Sequence, residues 1–193
     1  MEFRYKDMNL AKLLPELCKV EGIEWIRLFY AYPDQFSDEL IEILAKEDKI
    51  VKYLDMPIQH TSDRVLELMN RRVRRKDILE FVRKLRARIP NIFLRTSVIT
   101  GFPTETEEEF EQLYADLKEL KFDHLGAFAY SKEEGTKAGA MDGQVPLRTR
   151  VARQRKIRKL HHDFSKGRNE AMLGREVQVL VEGISEETEL LLK

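Results

Sequence analysis

The sequence has one cysteine, no long apolar run and no excess of charge of either sign, and each absence excludes a class of protein. With Cys18 as its only cysteine among 193 residues, the chain forms no internal disulfide and supplies no multi-cysteine metal site. No apolar stretch approaches the length of a membrane span, and residues 1–10 lack the apolar core of a signal peptide. Net charge is zero, so global electrostatics do not indicate a nucleic-acid partner. The simplest interpretation is a cytoplasmic protein.

Two common nucleotide-binding signatures are also missing. Neither a G-x-G-x-x-G turn nor a Walker loop is present, which disfavours dinucleotide and P-loop sites. Instead, four strand-like segments alternate with helical patterns, at residues 22–30, 50–58, 92–100 and 122–130. These segments are apolar on both faces, as expected of parallel strands buried between layers, so the sequence predicts an α/β fold. Trp25, in the first segment, is expected in the core.

Helix starts are marked by capping residues. Asn9 is expected to cap a helix that contains Pro15, and Ser37 and Ser62 precede short helices. Thr followed by Glu at 106 and 109 forms a capping box, and longer helices are predicted at 75–88 and 147–172. Residues 175–183 then alternate as a fresh strand without a partner, which predicts that the chain is incomplete at its C-terminus.

The carboxyl ends of the predicted strands hold the candidate site, because ligands of parallel α/β folds bind there. Each candidate also has an ordinary structural explanation. Gln59 and His60 could satisfy loop carbonyls, Gly101 could serve a plain turn, and the adjacent acids Glu133 and Glu134 could be solvated. His60 would need an orienting partner to act as a base, and the sequence identifies none.

Two basic regions could contact phosphate or an acidic partner. The stretch NRRVRRK runs from Asn70 to Lys76, and the long helix adds seven cations between Arg148 and Lys159. The alternative is a solvated surface on both. Cys18, on a predicted helix, is expected to be a buried structural thiol.

Three ordered blocks carry a family resemblance. They are DMPIQHTSDRVLELMNRR at 55–72, LRTSVITGFPTETEEEF at 94–110 and FDHLGAFAYSKEEGT at 122–136. They resemble the later part of the radical S-adenosylmethionine (SAM) domain of the MiaB/RimO methylthiotransferases. The stretches VPLRTRVARQRKI and GREVQVLVEG resemble that family's junction helix and the first strand of its TRAM domain.

The resemblance implies an architecture. Residues 1–172 would be the C-terminal portion of a partial (β/α)6 TIM-like barrel with its junction helix, and residues 173–193 the start of a β-rich TRAM domain. Within the family, Gln59-His60-Thr61-Ser62 and the segment YSKEEGT at 130–136 resemble the RimO branch. That branch methylthiolates the β-carbon of an aspartate in small-subunit ribosomal protein S-twelve. The alternatives are a MiaB-like enzyme acting on tRNA adenosine and a non-catalytic module that binds through its basic faces. A generic α/β enzyme using Gln59, His60 and Glu133 is a further alternative.

The resemblance also implies cofactors and site residues. The family uses SAM and [4Fe-4S] clusters. Ile99 and Gly101 would lie at the adenine-contacting strand end, while Gln59, Ser62 and Arg95 are candidate polar contacts to cofactor or substrate.

The sequence departs from the family in three respects. The Cys-x-x-x-Cys-x-x-Cys motif that binds the cluster is absent, and Cys18 lies outside the cluster motifs of the family. Thr104 replaces a glycine that is common in the family. We therefore expect no metal ligands in this chain, no activity from it alone, and poor solubility because the strand at 22–30 would leave an unpaired edge.

Overall fold

The four strands form one parallel sheet in the order β1-β2-β3-β4, which confirms the α/β prediction. The structure is a computed structural model that describes residues 9–33, 36–186 and 188. Its elements are α1 Leu10–Cys18, β1 Ile26–Leu28, α2 Asp38–Lys46, β2 Ile50–Asp55, α3 Asp63–Leu68, α4 Arg75–Arg88, β3 Phe93–Thr100, α5 Glu107–Leu120, β4 His124–Ala129, α6 Lys137–Ala140 and α7 Leu147–Met172.

Local capping chemistry sets the helix starts as predicted. The hydroxyls of Ser37 and Ser62 accept backbone N–H groups three residues on. Thr106 and Glu109 bond reciprocally, at 3.2 and 3.0 Å, and open α5. Pro15 is accommodated inside α1. The four-residue helix α6 is too short to show a periodicity and is absent from the sequence prediction.

The strands are shorter than the predictions, most of all at the first. β1 pairs over three residues, with a register shift between Ile26 and Leu28, and lies at the sheet edge. The expectation that Trp25 lies in the core is wrong, because it precedes this short edge strand and is 41% exposed. β2 ends at Asp55, and residues 56–58 leave it as a loop.

The predicted strand at 175–183 is not formed. Residues 175–182 have no regular secondary structure, and their side chains are exposed. A strand needs a partner to satisfy its backbone groups, and the described residues provide none here. The assignment of 173–193 to a TRAM domain remains a prediction, and residues 187 and 189–193 lie outside the described part.

Helices cover one face of the sheet and α7 covers the β4 edge. The core contains alternate residues of β2, β3 and β4 together with the apolar stripes of α4 and α5. Along the edge, Gln154 of α7 donates to the Ala127 carbonyl at 2.9 Å, and the His161 ring accepts the Leu125 N–H at 3.4 Å. Edge groups of β4 that would otherwise be open to another strand are therefore partly satisfied by a helix.

A buried ion pair fastens α7 to the loop after β3. Arg153 donates to the Glu105 carboxylate at 2.6 Å, and both side chains are almost fully buried. A second nitrogen of Arg153 donates to Glu107 at 2.7 Å, but that carboxylate is exposed. The two acids thus share one arginine in different surroundings.

This difference predicts unequal effects of two matched substitutions. Glu105→Gln removes the buried charge partner of Arg153, leaves it only the exposed Glu107, and should lower the free energy of unfolding by about 3–5 kcal/mol. Glu107→Gln removes a solvent-screened contact and should cost about 0–1 kcal/mol. Urea denaturation at neutral pH measures both, and equal losses would contradict the assignment of the buried pair as the anchor of α7.

Candidate functional site at the strand ends

Among the described residues, no helix covers one face of the sheet, apart from side chains of α7 that reach Phe93 and His124, and we call it the open face. Strand residues alternate between the two faces, and the register places Arg95 beside His124 and Ile99 beside Phe128. These four side chains are exposed or half-buried, whereas their neighbours on β3 and β4 are mostly in the core. Within the described part of the chain, the open face is therefore the available surface of the sheet.

A row of arginine and aromatic side chains crosses the open face. The Arg27 guanidinium lies 4.0 Å from the Tyr53 ring centroid and 4.5 Å from that of Phe29. The Tyr53 ring stacks on the Phe93 ring, and their centroids are 5.6 Å apart. At the other end of the row, the guanidinium of Arg168 of α7 lies over the Phe93 ring. Arg27 makes no ion pair with any described residue, so its charge is held by rings alone.

Arg95, a predicted site residue, also lies on the open face but is paired. Its guanidinium donates to the carboxylate of Asp55 at 2.8 Å. Asp55 is 4% exposed and Arg95 44% exposed, so the acid is buried beneath the arginine. The structure thus brings Arg95 toward the site, with much of its charge already balanced by Asp55.

Three successive strand ends adopt a left-handed backbone at the same edge of the sheet. Tyr30 follows β1 with φ 55°, Gln59 follows β2 with φ 68°, and Gly101 follows β3 with φ 70°. Left-handed residues other than glycine carry strain, and such strain concentrates at functional sites. At Gln59 the backbone is held by β3, because its N–H donates to Ser97 and its carbonyl accepts from Ile99.

Gln59 and Ile99 remain available to a ligand. The Gln59 side chain is half-buried and has no hydrogen-bond partner among the described residues. Ile99 is half-buried, packs against the apolar cluster at the strand ends, and neighbours Phe128, which is 55% exposed. Together they combine an amide with an apolar surface.

Gly101 packs closely against Arg150 and bonds to Glu105, so its contacts lie within the chain. Its N–H donates to Glu105 at 2.9 Å. A side chain here would bring Cβ within 2.3 Å of Cγ of Arg150 and 3.1 Å of its Cα. The glycine therefore permits close approach of α7, rather than open contact with a ligand. Thr104, three residues on, also has a positive φ of 68°, so the turn forms without the family's glycine.

Ser62 serves the structure. Its hydroxyl donates to Glu109 at 2.8 Å and caps α3, which is the ordinary explanation considered from the sequence. Arg64 donates to the same carboxylate at 2.6 Å. Although burial by itself raises the pKa of Glu109, bonds from Arg64, the Thr106 N–H and Ser62 lower it to about 2.

His60 has a partner that sequence reasoning missed. Its Nδ1 accepts the Ser62 N–H at 2.8 Å, and its Nε2 lies 3.4 Å from the Glu105 carboxylate. Because His60 is completely buried, it cannot reach a substrate as a base. Glu105 lies 45 residues away in sequence, and only its proximity to the Gly101 turn could have suggested it.

The remaining predicted polar groups do not converge on the strand ends. Glu133 and Glu134 are exposed, and Glu133 accepts a bond from the neighbouring Ser131. In the stretch 70–76 four of the five cations are engaged within the chain. They bond to Pro57, to Asp63 and Glu67, to Asp116, and to Glu80. The structure thus weakens the prediction of a basic contact surface from Asn70 to Lys76.

The described residues do not fit an iron–sulfur cluster. Cys18 ends α1, packs against the core, and burial together with nearby Glu47 raises the pKa of its thiol. Cluster ligation requires several thiolates. No group of three metal-ligating side chains occurs within the described ranges.

A large cavity lies away from the candidate site. A space of about 850 Å³ opens between the start of β3, the loop before β4 and the C-terminal half of α7. Because ligands of parallel sheets bind at the carboxyl ends of the strands, this cavity is not the favoured site. Among the described residues, no helix is both long and apolar enough to cross a membrane.

Comparison with known proteins assigns the class. The sequence matches the Radical SAM superfamily over residues 6–117, and the chain belongs to that superfamily. The fold resembles that of coproporphyrinogen III oxidase from Escherichia coli, with a TM-score of 0.61 at 20% identity, over 80% of this chain and 36% of that one. A radical SAM methyltransferase, TsrM, from Kitasatospora setae gives a TM-score of 0.55 at 19% identity, over 76% and 34%. The predicted similarity of this fold to the TIM-like barrel of radical SAM enzymes is confirmed.

Closer relatives identify the branch. The chain is 51% identical over 185 residues to a protein of Anaeromyxobacter sp. named ribosomal protein uS12 methylthiotransferase RimO. It is 49% identical over 181 residues to the protein of the same name from Symbiobacterium thermophilum. These alignments cover 96% and 94% of this chain but 39% and 37% of the relatives. The resemblance to RimO-type methylthiotransferases is confirmed, and the chain spans about two fifths of their length.

The two explanations of Gly101 predict different effects of an added methyl group. Gly101→Ala should lower the free energy of unfolding by about 2–5 kcal/mol, from the positive φ and the clash with Arg150. The matched control is Gly135→Ala, where φ is 75° but nothing lies within 4 Å, and there the φ cost alone should be about 1 kcal/mol. Chemical denaturation compares them, and equal losses would rule out the packing explanation.

The lowered pKa of Glu109 predicts a pH dependence. Its folded pKa lies below the ordinary value, so its contribution is fully present above about pH 4.5 and is lost as pH falls toward 2. At pH 7 the free energy of unfolding of the parent should exceed that of Glu109→Gln by about 2 kcal/mol. This difference should shrink as the pH falls from about 4.5 to about 2. Denaturation at a series of pH values measures it, and a constant margin would contradict the ionic contribution.

Proposed function

We propose that this chain is part of a radical SAM methylthiotransferase that modifies an aspartate of small-subunit ribosomal protein S-twelve. The observation that carries the proposal is about 50% identity, along nearly the whole chain, to proteins bearing that name. The reaction replaces a hydrogen on the aspartate β-carbon with a sulfur that carries a methyl group. A substrate on the ribosome would place this reaction in the cytoplasm.

We propose the open face as the side that receives the target aspartate. A buried or enclosed carboxylate needs a cationic partner, and a guanidinium is suited to it. Arg95 already balances Asp55, whereas Arg27 is held between aromatic rings without an acid among the described residues. Arg27 is therefore the cation we assign to the substrate carboxylate.

SAM and [4Fe-4S] clusters are the cofactors we propose for the intact enzyme, with the cluster ligands outside the described residues. SAM, when bound, supplies the methyl group and the adenosyl radical that removes hydrogen. Gln59 would bond to its polar groups, and Ile99 beside Phe128 would pack against adenine. Ser62 and Gly101 would act indirectly, because their donors are used within the chain. Arg95, which is held in place by Asp55, would orient polar groups of the cofactor or the substrate.

Substrate choice is tested with the holoenzyme purified anaerobically with its clusters. Incubation with S-twelve, and separately with tRNA, is followed by mass spectrometry of the peptide and the nucleosides. We expect one methylthio group on an S-twelve aspartate and none on tRNA. Modification of tRNA adenosine alone would replace the proposal by the tRNA-modifying activity.

Two substitutions should separate substrate binding from cofactor binding. Arg27→Gln should lower kcat/KM for S-twelve about tenfold or more, as expected for a lost charged hydrogen bond, with SAM affinity unchanged. Gln59→Ala should weaken SAM binding severalfold in an equilibrium titration, with the melting temperature unchanged. Arg72→Gln, exposed and unpaired among the described residues, is the control. Equal effects of both substitutions on SAM affinity would contradict the division of roles.

A further inference from the structure

The outer face of α7 carries cations that form no hydrogen bond or ion pair with the described residues. These residues, which we call the α7 basic stripe, are Arg148, Arg155, Arg158, Lys159 and Lys166. All are exposed, and none forms a hydrogen bond or ion pair with a described residue. The other cations of the helix are engaged, as Arg150, Arg153, Lys156 and Arg168 bond to the loops, to α5 or to Asp123. The helix thus divides its cations between an inner and an outer face.

The stripe follows one line along the helix. At 100° per residue, Arg148, Arg155, Lys159 and Lys166 lie within roughly 20° of a common line, and Arg158 flanks it. Over 18 residues that line is about 27 Å long. From Leu147 to His162 the helix contains no acid, and Asp163 and Glu170 are its only acidic residues. The positive charge is therefore concentrated on the first two thirds of α7.

The chemistry of the stripe suits phosphates. Arginine and lysine side chains at intervals of about 6–10 Å along a rod can follow a nucleic-acid backbone. The stripe contains no aromatic residue, so it offers no platform on which unpaired bases would stack. Contacts of this kind position a partner without reading its sequence.

We propose that the α7 basic stripe docks on the phosphate backbone of double-helical RNA. The phosphate chemistry stands by itself, and the choice of RNA over DNA rests on the proposed function, because a ribosomal protein is surrounded by RNA. The stripe lies on the opposite side of α7 from the sheet contacts, so docking leaves the open face free for substrate.

The test is direct RNA binding by the 193-residue chain, independent of any methylthio transfer. The probe is a fluorescein-labelled 16-base-pair RNA duplex of arbitrary sequence, followed by anisotropy between 50 and 200 mM salt. The variant is Arg148→Gln, Arg155→Gln, Lys159→Gln, and the control with equal charge change is Arg72→Gln, Lys46→Gln, Lys118→Gln. Thermal unfolding of each variant checks that the fold is kept.

We expect the duplex to bind with a steep salt dependence. The stripe variant should bind at least tenfold more weakly at 100 mM salt, with the slope of log K against log salt reduced by about 2–3. The control should stay within twofold of the parent. No duplex binding at 50 mM salt, or equal weakening by the stripe variant and the control, would overturn the proposal. Tighter binding of a polyglutamate peptide, lost in the stripe variant, would also overturn it and assign the surface to an acidic protein.

Discussion

The buried pair between Glu105 and Arg153 is the constraint on which the strand-end region depends. Glu105 accepts from Arg153, accepts the Gly101 N–H, and lies beside His60. One carboxylate therefore links the loops after β2 and β3 to α7. Because an unpaired charge in this interior would be costly, these elements hold one relative position. Of the left-handed residues at the strand ends, Gly101 bonds to Glu105 directly, and Gln59 precedes His60, which lies beside the same carboxylate.

The two faces of the sheet differ in composition, and the candidate site lies on the open face. On the covered face, alternate strand residues pack with α4 and α5 into one core. On the open face, arginines lie over aromatic rings, and the acid Asp55 is covered by Arg95. Such a surface remains polar and accessible without leaving an uncompensated buried charge. The candidate ligand groups Gln59 and Ile99 lie where this face meets the strand ends.

Two basic segments of similar composition have different structural uses. In the stretch 70–76, Arg74 and Arg75 bond to acids and carbonyls that join α3, α4 and α5. On α7, arginines alternate between internal contacts, as at Arg153, and the outer surface, as at Arg155. A net charge of zero therefore conceals a locally positive helix face.

The sequence by itself determined the α/β class and most of the helix starts, and its three ordered blocks carried the family resemblance. The class and the helix starts depend on periodicity and on contacts within four residues, such as Thr106 with Glu109. It also indicated the strand ends as the candidate site, since parallel strands place their carboxyl ends together. Only the tertiary structure decided which residues at the strand ends are used in contacts within the chain and which remain available to a ligand. Gly101 and Ser62 are used internally because Arg150 and Glu109, distant in sequence, fold against them, whereas the Gln59 side chain has no hydrogen-bond partner in the part of the chain that the structure describes. The same long-range packing gave His60 its partner Glu105, and among the described residues it provides no strand to pair with residues 175–182.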